Sequence, residues 1–146
     1  PGTDLDGQAA LIETVGNPDC HVILRGGSAG PNYDAETVAD TLARLRKAGL
    51  PERVVVDASH GNSRKDHNKQ VDVVTDIAER LEAGEQGVVG MMLESFIEAG
   101  RQDLTLGKAD ELEYGKSITD ACLDWNTTVA QLDRLARAVR VRRERN

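Results

Sequence analysis

Cysteine is scarce in this sequence: Cys20 and Cys122 are the two in 146 residues. Two are too few for a disulfide framework, and a reducing cytoplasm is the expected setting. An excess of basic charge is also missing. Eighteen basic residues against 25 acidic ones give a formal net charge of −7, which excludes a general nucleic-acid or membrane-surface binder. No apolar run approaches the roughly 20 residues that span a bilayer, and no signal-peptide pattern opens the chain. The chain starts at Pro1 without an initiator methionine, as expected of a processed or excised piece. By length it is one ordinary domain or part of a larger one.

What is present is organised around Val54-Val-Val-Asp-Ala-Ser-His-Gly-Asn-Ser63. Three successive valines read as a strand buried on both faces, as in a parallel sheet. The run then turns polar at once, with Asp57, Ser59 and His60 at its carboxyl end and Gly61-Asn62 as a turn. Loops leaving strand tips are where α/β folds build active sites, so His60 is a candidate metal ligand or acid–base group. A histidine satisfied by a nearby backbone group is the competing reading.

Upstream, Pro1–Gln8 is a polar, turn-rich leader. Ala9–Val15 and Cys20–Leu24 read as two strands of a hairpin around Gly16-Asn-Pro-Asp19. The second run ends in Arg25-Gly-Gly27, where glycines allow close backbone approach and an arginine can grip a phosphate or carboxylate. Asp34 is the expected N-cap of a helix reaching Ala48, with Val38, Leu42 and Leu45 inward and Gly49-Leu-Pro51 ending it. A second helix spans Lys65 to Ala83 and buries Val71, Val74, Ile77, Ala78 and Leu81. Gly87–Leu93 reads as another apolar strand, and it delivers Glu94 at its tip.

The three strand ends Arg25, His60 and Glu94 stand 35 and 34 residues apart, a period that suits repeated strand–helix–strand units with polar tips converging on one rim. Three units are too few to close a barrel of eight. Leu104–Lys116 is a long charged loop. Ile118–Trp125 is expected to form a short helical turn with Asp120 near its start. A last helix, capped at Asn126 or Thr127, buries Val129, Leu132, Leu135, Ala136 and Val139. Its basic end, Arg140–Arg145, is read as cations complementing a helix C-terminus rather than as a nucleic-acid tail. His60, Glu94 and Asp120 together form a donor set that suits Mn²⁺, Fe²⁺, Co²⁺ or Zn²⁺. Arg25 beside them points to a phosphorylated or carboxylated substrate.

Several segments, in order along nearly the whole chain, carry a family resemblance: Gly16-Asn-Pro-Asp-Cys-His-Val-Ile-Leu-Arg-Gly-Gly27, Pro31-Asn-Tyr33, Asp57-Ala-Ser-His-Gly-Asn-Ser63, Leu93-Glu-Ser95 and Tyr114-Gly-Lys-Ser-Ile-Thr-Asp-Ala-Cys122. They resemble type I 3-deoxy-D-arabino-heptulosonate 7-phosphate (DAHP) synthases, which are (β/α)8 barrels. The resemblance implies an α/β fold in which residues 1–146 are the C-terminal portion of one barrel domain: its last three βα units with a preceding β-hairpin, an incomplete TIM barrel. It implies condensation of phosphoenolpyruvate with erythrose 4-phosphate, the first step of the shikimate pathway, with a divalent metal ion as cofactor.

By the same resemblance His60, Glu94 and Asp120 fall on three of four metal ligands. The fourth is a cysteine in a motif this sequence lacks, and neither Cys20 nor Cys122 takes its place. Arg25 falls on the arginine that holds the phosphoenolpyruvate phosphate. Arg25 and His60 are thus the expected catalytic residues, and Arg25, His60 and Asp120 the substrate-binding ones. Asp57 is expected to orient His60 or the strand end; Lys116 and Ser117 receive no role. Family members are often inhibited by an aromatic amino acid bound near a hairpin like the one containing Leu11 and Ile12.

The family's remaining anion-gripping residues have no counterpart here, so negligible activity is expected of these residues alone. Open sheet edges predict self-association into a homo-oligomer. A sister phosphoenolpyruvate-dependent synthase with another phosphosugar acceptor, and a non-catalytic half-barrel acting as an assembly or regulatory module, are the alternative readings.

Overall fold

The computed structural model describes residues 1–145. Its centre is a three-stranded parallel sheet of β3 (Val22–Leu24), β4 (Val54–Asp57) and β5 (Val88–Met92), in that spatial order. Leu24 pairs with Val56, and Asp57 with Met92. α1 (Ala35–Lys47) connects β3 to β4, α2 (Gln70–Glu82) connects β4 to β5, and α3 (Trp125–Glu144) closes the chain. This strand–helix alternation is what the apolar runs and their 35-residue period predict, because parallel neighbours need a crossover between them.

The core lies between one face of the sheet and the helices. Leu24, Val54, Val56 and Val88 point into it, where they meet Val38 of α1 and Val73, Val74, Ile77, Ala78 and Leu81 of α2. The valine run is therefore buried on one face rather than two: Val54 and Val56 are inaccessible, while Val55 is half-buried and Ile23 and Val89 on the neighbouring strands are exposed. No layer covers that second face among the described residues. α2 buries Val73 in place of the expected Val71, and its first turn is a short 3-10 segment, His67–Lys69, set off by Asp66.

The expected hairpin of Ala9–Val15 with Cys20–Leu24 does not form. Ala9–Ala10 (β2) pairs antiparallel with Gly2–Thr3 (β1) in the stretch expected to be a loose leader. The turn is built by Asp4, whose Oδ1 accepts the backbone N–H groups of Asp6 at 3.0 Å and Gln8 at 2.9 Å. Val22–Leu24 has gone to the parallel sheet instead, because β4 offers it a buried apolar partner and Leu11 and Val15 do not.

The expected helical turn over Ile118–Trp125 does not form: Ile118–Asp120 bends, Cys122 and Leu123 make isolated bridges, and Trp125 already opens α3. Leu123 N–H donates to the Glu94 carbonyl and Phe96 N–H to the Leu123 carbonyl, both at 2.9 Å, which lays this stretch parallel to the tail of β5. α3 is capped by Asp124, whose carboxylate accepts from Thr127 N–H at 2.8 Å, two residues ahead of the expected range. Its buried residues are Thr128, Gln131 and Ala138; Val129, Leu132 and Ala136 are exposed, and Leu135 and Val139 half-buried. Arg142 of α3 donates to the Glu85 carbonyl at 2.9 Å, and Arg80 of α2 pairs with the Glu85 carboxylate at 2.6 Å and with the Tyr33 carbonyl. The α1, α2 and α3 segments are joined through that pair of arginines. No described helix is long and apolar enough to cross a membrane.

Candidate metal and anion site

All three core strands end on the same rim, and each delivers one polar side chain. Arg25 follows β3, His60 stands three residues past β4, and Glu94 lies two residues past β5. Asp120 joins them from the bend just ahead of the Cys122–Leu123 bridges. A cleft of about 660 Å³ is lined by Arg25, His60, Glu94 and Asp120, with Lys65, His67 and Arg101 around them. The expected convergence of Arg25, His60 and Glu94 on one rim is what the structure shows, with Asp120 on the same cleft.

His60 is held in a fixed orientation. Its Nδ1 lies 2.7 Å from Asp57 Oδ2, and Asp57 is almost fully buried at the end of β4. The other Asp57 oxygen accepts the Ser59 N–H at 2.8 Å and the Ser59 hydroxyl at 2.9 Å. A carboxylate on Nδ1 fixes the proton there and leaves Nε2 as a lone-pair donor, as in metal sites where an acid backs a ligating histidine. His60 itself has a left-handed backbone (φ 47°), as do Arg64 and Lys65 in the same loop. Such conformations are disfavoured for non-glycine residues and concentrate at sites where a loop must aim a side chain.

His60 Nε2 faces Glu94 Oε1 at 3.5 Å, and one ligand atom from each of His60, Glu94 and Asp120 lies within 4.8 Å of the others. An ion with bonds of about 2.0–2.2 Å spans gaps of this size with a small contraction. One imidazole and two carboxylates is a donor set that borderline divalent transition metals accept. Burial raises the Glu94 carboxyl above its ordinary value, opposed by His60 and reinforced by the negative Asp120 and Asp57. A cation between the carboxylates would relieve that repulsion.

Arg25 is positioned by backbone packing. Its carbonyl accepts the Gly61 N–H at 3.0 Å, and the Gly26 N–H donates to Asn32 Oδ1 at 2.7 Å. Gly26 has φ +80°, and a Cβ there would sit 2.6 Å from the Gly61 backbone, so only glycine lets the Arg25 and His60 loops touch. The Arg-Gly-Gly run is therefore a built junction. Asn62, expected only as a turn residue, is buried and donates to the carbonyls of Leu24 at 3.0 Å and Asp57 at 2.8 Å, clasping β3 to β4. A small polar residue after a buried strand was the signal; its partners lie 38 and 5 residues away, beyond any local pattern.

The model of the DAHP synthetase I family matches residues 4–133. The chain belongs to that family. It is 51% identical over 145 residues to a tyrosine-inhibited phospho-2-dehydro-3-deoxyheptonate aldolase of Schizosaccharomyces pombe, covering 98% of this chain and 39% of the relative. It is 49% identical over 137 residues to the Phe-sensitive enzyme of the same name from Escherichia coli, covering 94% of this chain and 38% of that one. A solved structure of the aldolase from Francisella tularensis superposes with a TM-score of 0.83 at 46% identity, covering 96% of this chain and 40% of that chain. The chain thus spans about two fifths of the length of these DAHP synthetase relatives.

Proposed function

We propose that this chain is the C-terminal part of a DAHP synthase, which joins phosphoenolpyruvate to erythrose 4-phosphate to give DAHP and inorganic phosphate. The observation that carries the reading is the clustering of His60, Glu94 and Asp120 within 4.8 Å, with Arg25 on the same cleft, in a member of the DAHP synthetase I family. The three parallel strands and their helices then correspond to the last three βα units of a (β/α)8 barrel. The uncovered sheet face, with Ile23 and Val89 exposed, is the side the remaining units would enclose.

In this reading His60 Nε2, a Glu94 oxygen and an Asp120 oxygen hold a divalent metal, and Asp57 keeps His60 in the ligating tautomer. When bound, such an ion supplies Lewis-acid polarisation of the acceptor aldehyde oxygen. Arg25 grips the phosphate of phosphoenolpyruvate with paired N–H groups, orients the enol carbon toward the aldehyde and holds the phosphate as it departs. Carbon–carbon bond formation, addition of water to the former enol carbon, and cleavage of its C–O bond to phosphate complete the balance. The described residues provide the metal cluster and one anion grip, so the chain alone is expected to release no measurable phosphate from the two substrates. The unpaired outer edge of β3 favours self-association.

The test is titration of the chain with Co²⁺, followed by its visible absorption, and then with phosphoenolpyruvate. The expected result is one Co²⁺ site that His60→Ala abolishes, and phosphoenolpyruvate binding that Arg25→Ala weakens while Co²⁺ binding stays. Co²⁺ uptake indifferent to His60→Ala would overturn the assignment.

A further inference from the structure

Gln70 is the first residue of α2 and is completely buried, although glutamine is a surface residue in most proteins. Its side-chain amide meets both backbone groups of one residue, Glu94. The Glu94 N–H donates to Gln70 Oε1 at 2.8 Å, and Gln70 Nε2 donates to the Glu94 carbonyl at 3.2 Å. One donor and one acceptor on a planar amide match one peptide unit, as a neighbouring strand would.

The pairing comes where a strand neighbour runs out. The β4–β5 ladder ends with Asp57 opposite Met92 and Ala58 N–H donating to the Met92 carbonyl at 2.9 Å. Beyond that point β4 turns away to place Ser59 and His60 on the rim. On its other side Glu94 accepts the Leu123 N–H at 2.9 Å. The Glu94 backbone is therefore held from two directions, and one of them is a side chain that leaves the same β4–α2 connection as His60. The clamp ties one carboxylate of the cluster to the loop that carries the imidazole facing it at 3.5 Å.

Resting on the metal reading proposed above, we infer that Gln70 is a positioning residue for the metal site: its amide continues the sheet past β4 and aims Glu94 at His60. Its part in the site is exerted through the Glu94 backbone, since both of its amide hydrogen bonds go there. A purely structural role would lower stability without altering the geometry of the cluster.

The experiment compares Gln70→Met, which keeps the shape and removes both hydrogen bonds, with Val73→Ala, which loosens the same helix without touching Glu94. Co²⁺ affinity and the Co²⁺ visible spectrum are read for each, with urea stability alongside. Gln70→Met is expected to bind Co²⁺ at least about tenfold more weakly, with altered band positions, as for removal of groups that orient ligands. Val73→Ala is expected to lose stability and keep the spectrum. Equal Co²⁺ affinity and an unchanged spectrum in Gln70→Met would overturn the inference while leaving the metal site standing. Absence of Co²⁺ binding in the unaltered chain would overturn both. Should Gln70→Met not fold, amide exchange on the unaltered chain decides: a Glu94 N–H protected like the α2 amides, and more so with Co²⁺, supports the clamp. Exchange as fast as an exposed loop amide, or unmoved by Co²⁺, overturns it.

Discussion

α1 and α2 each contain thirteen residues and each follows a core strand, yet they are held in different ways. α2 buries six residues, Gln70, Val73, Val74, Ile77, Ala78 and Leu81, and has no side-chain N-cap. α1 buries only Val38, but its first turn is capped by Asp34, whose carboxylate accepts from both the Thr37 N–H at 2.9 Å and the Thr37 hydroxyl at 2.7 Å. α2 lies between the sheet and α3, so two sides of it are covered. α1 adds Val38, Leu42 and Leu45 to the same core, but among the described residues no helix packs along it as α3 packs along α2. Similar amphipathic patterns thus acquire different energetic roles from their place in the sheet: one helix is held by apolar burial, the other depends more on its ends.

The comparison predicts a graded set of effects. Ile77→Ala in α2 removes fully buried atoms and should destabilise the chain by about 2–5 kcal/mol in urea unfolding; a loss near zero would mean that α2 is not the core helix. At β4, the strand between the two helices, Asp57→Asn should weaken Co²⁺ binding by about 10–100-fold, since the amide no longer fixes the His60 tautomer. Unchanged affinity would show that Asp57 serves the strand end alone.

For α1, Asp34→Ala should cost about 1 kcal/mol, whereas Lys69→Ala at the uncapped start of α2 should cost almost nothing. The Asp34 carboxyl lies below its ordinary value of 3.8, chiefly through the Thr37 backbone N–H and then the Thr37 hydroxyl. A lowered folded value means that the cap contributes fully above the unfolded value and is lost as pH falls from there through the folded one. The stability difference between Asp34→Ala and the unaltered chain should accordingly vanish in acid, and a difference that persists would place the effect elsewhere. The smallest change is expected on α3: Leu132→Gln, at a half-exposed position, should stay within about 0.5 kcal/mol in this chain.

Leu132 also marks where sequence reading parts from structure. The apolar stripe of α3 is readable from its spacing, but periodicity says only that one face is apolar, not that a partner covers it. In the described residues the α3 helix reaches the core mainly through Ala138, Leu135 and Val139. Gln70 shows the converse. It stands in register with Val74, Ile77 and Leu81, so a polar residue on the buried stripe was visible, but its partner is 24 residues away in another element. Val22–Leu24 read correctly as a strand, while its partner did not, because an adjacent apolar run and a turn favour a hairpin on paper.

The sequence by itself determined the strand and helix alternation, the Asp34 cap and the four polar residues that end on the rim. These depend on local chemistry: β-branched runs, capping residues, and motifs shared with the DAHP synthetase I family. Tertiary structure decided which side of each element is covered, that Leu123 extends the sheet beside Glu94, and that Asn62 and Gln70 bond to the backbones of distant strands. Those outcomes depend on which distant segments arrive as neighbours, and a hydrogen bond across tens of residues leaves no periodic trace in either partner.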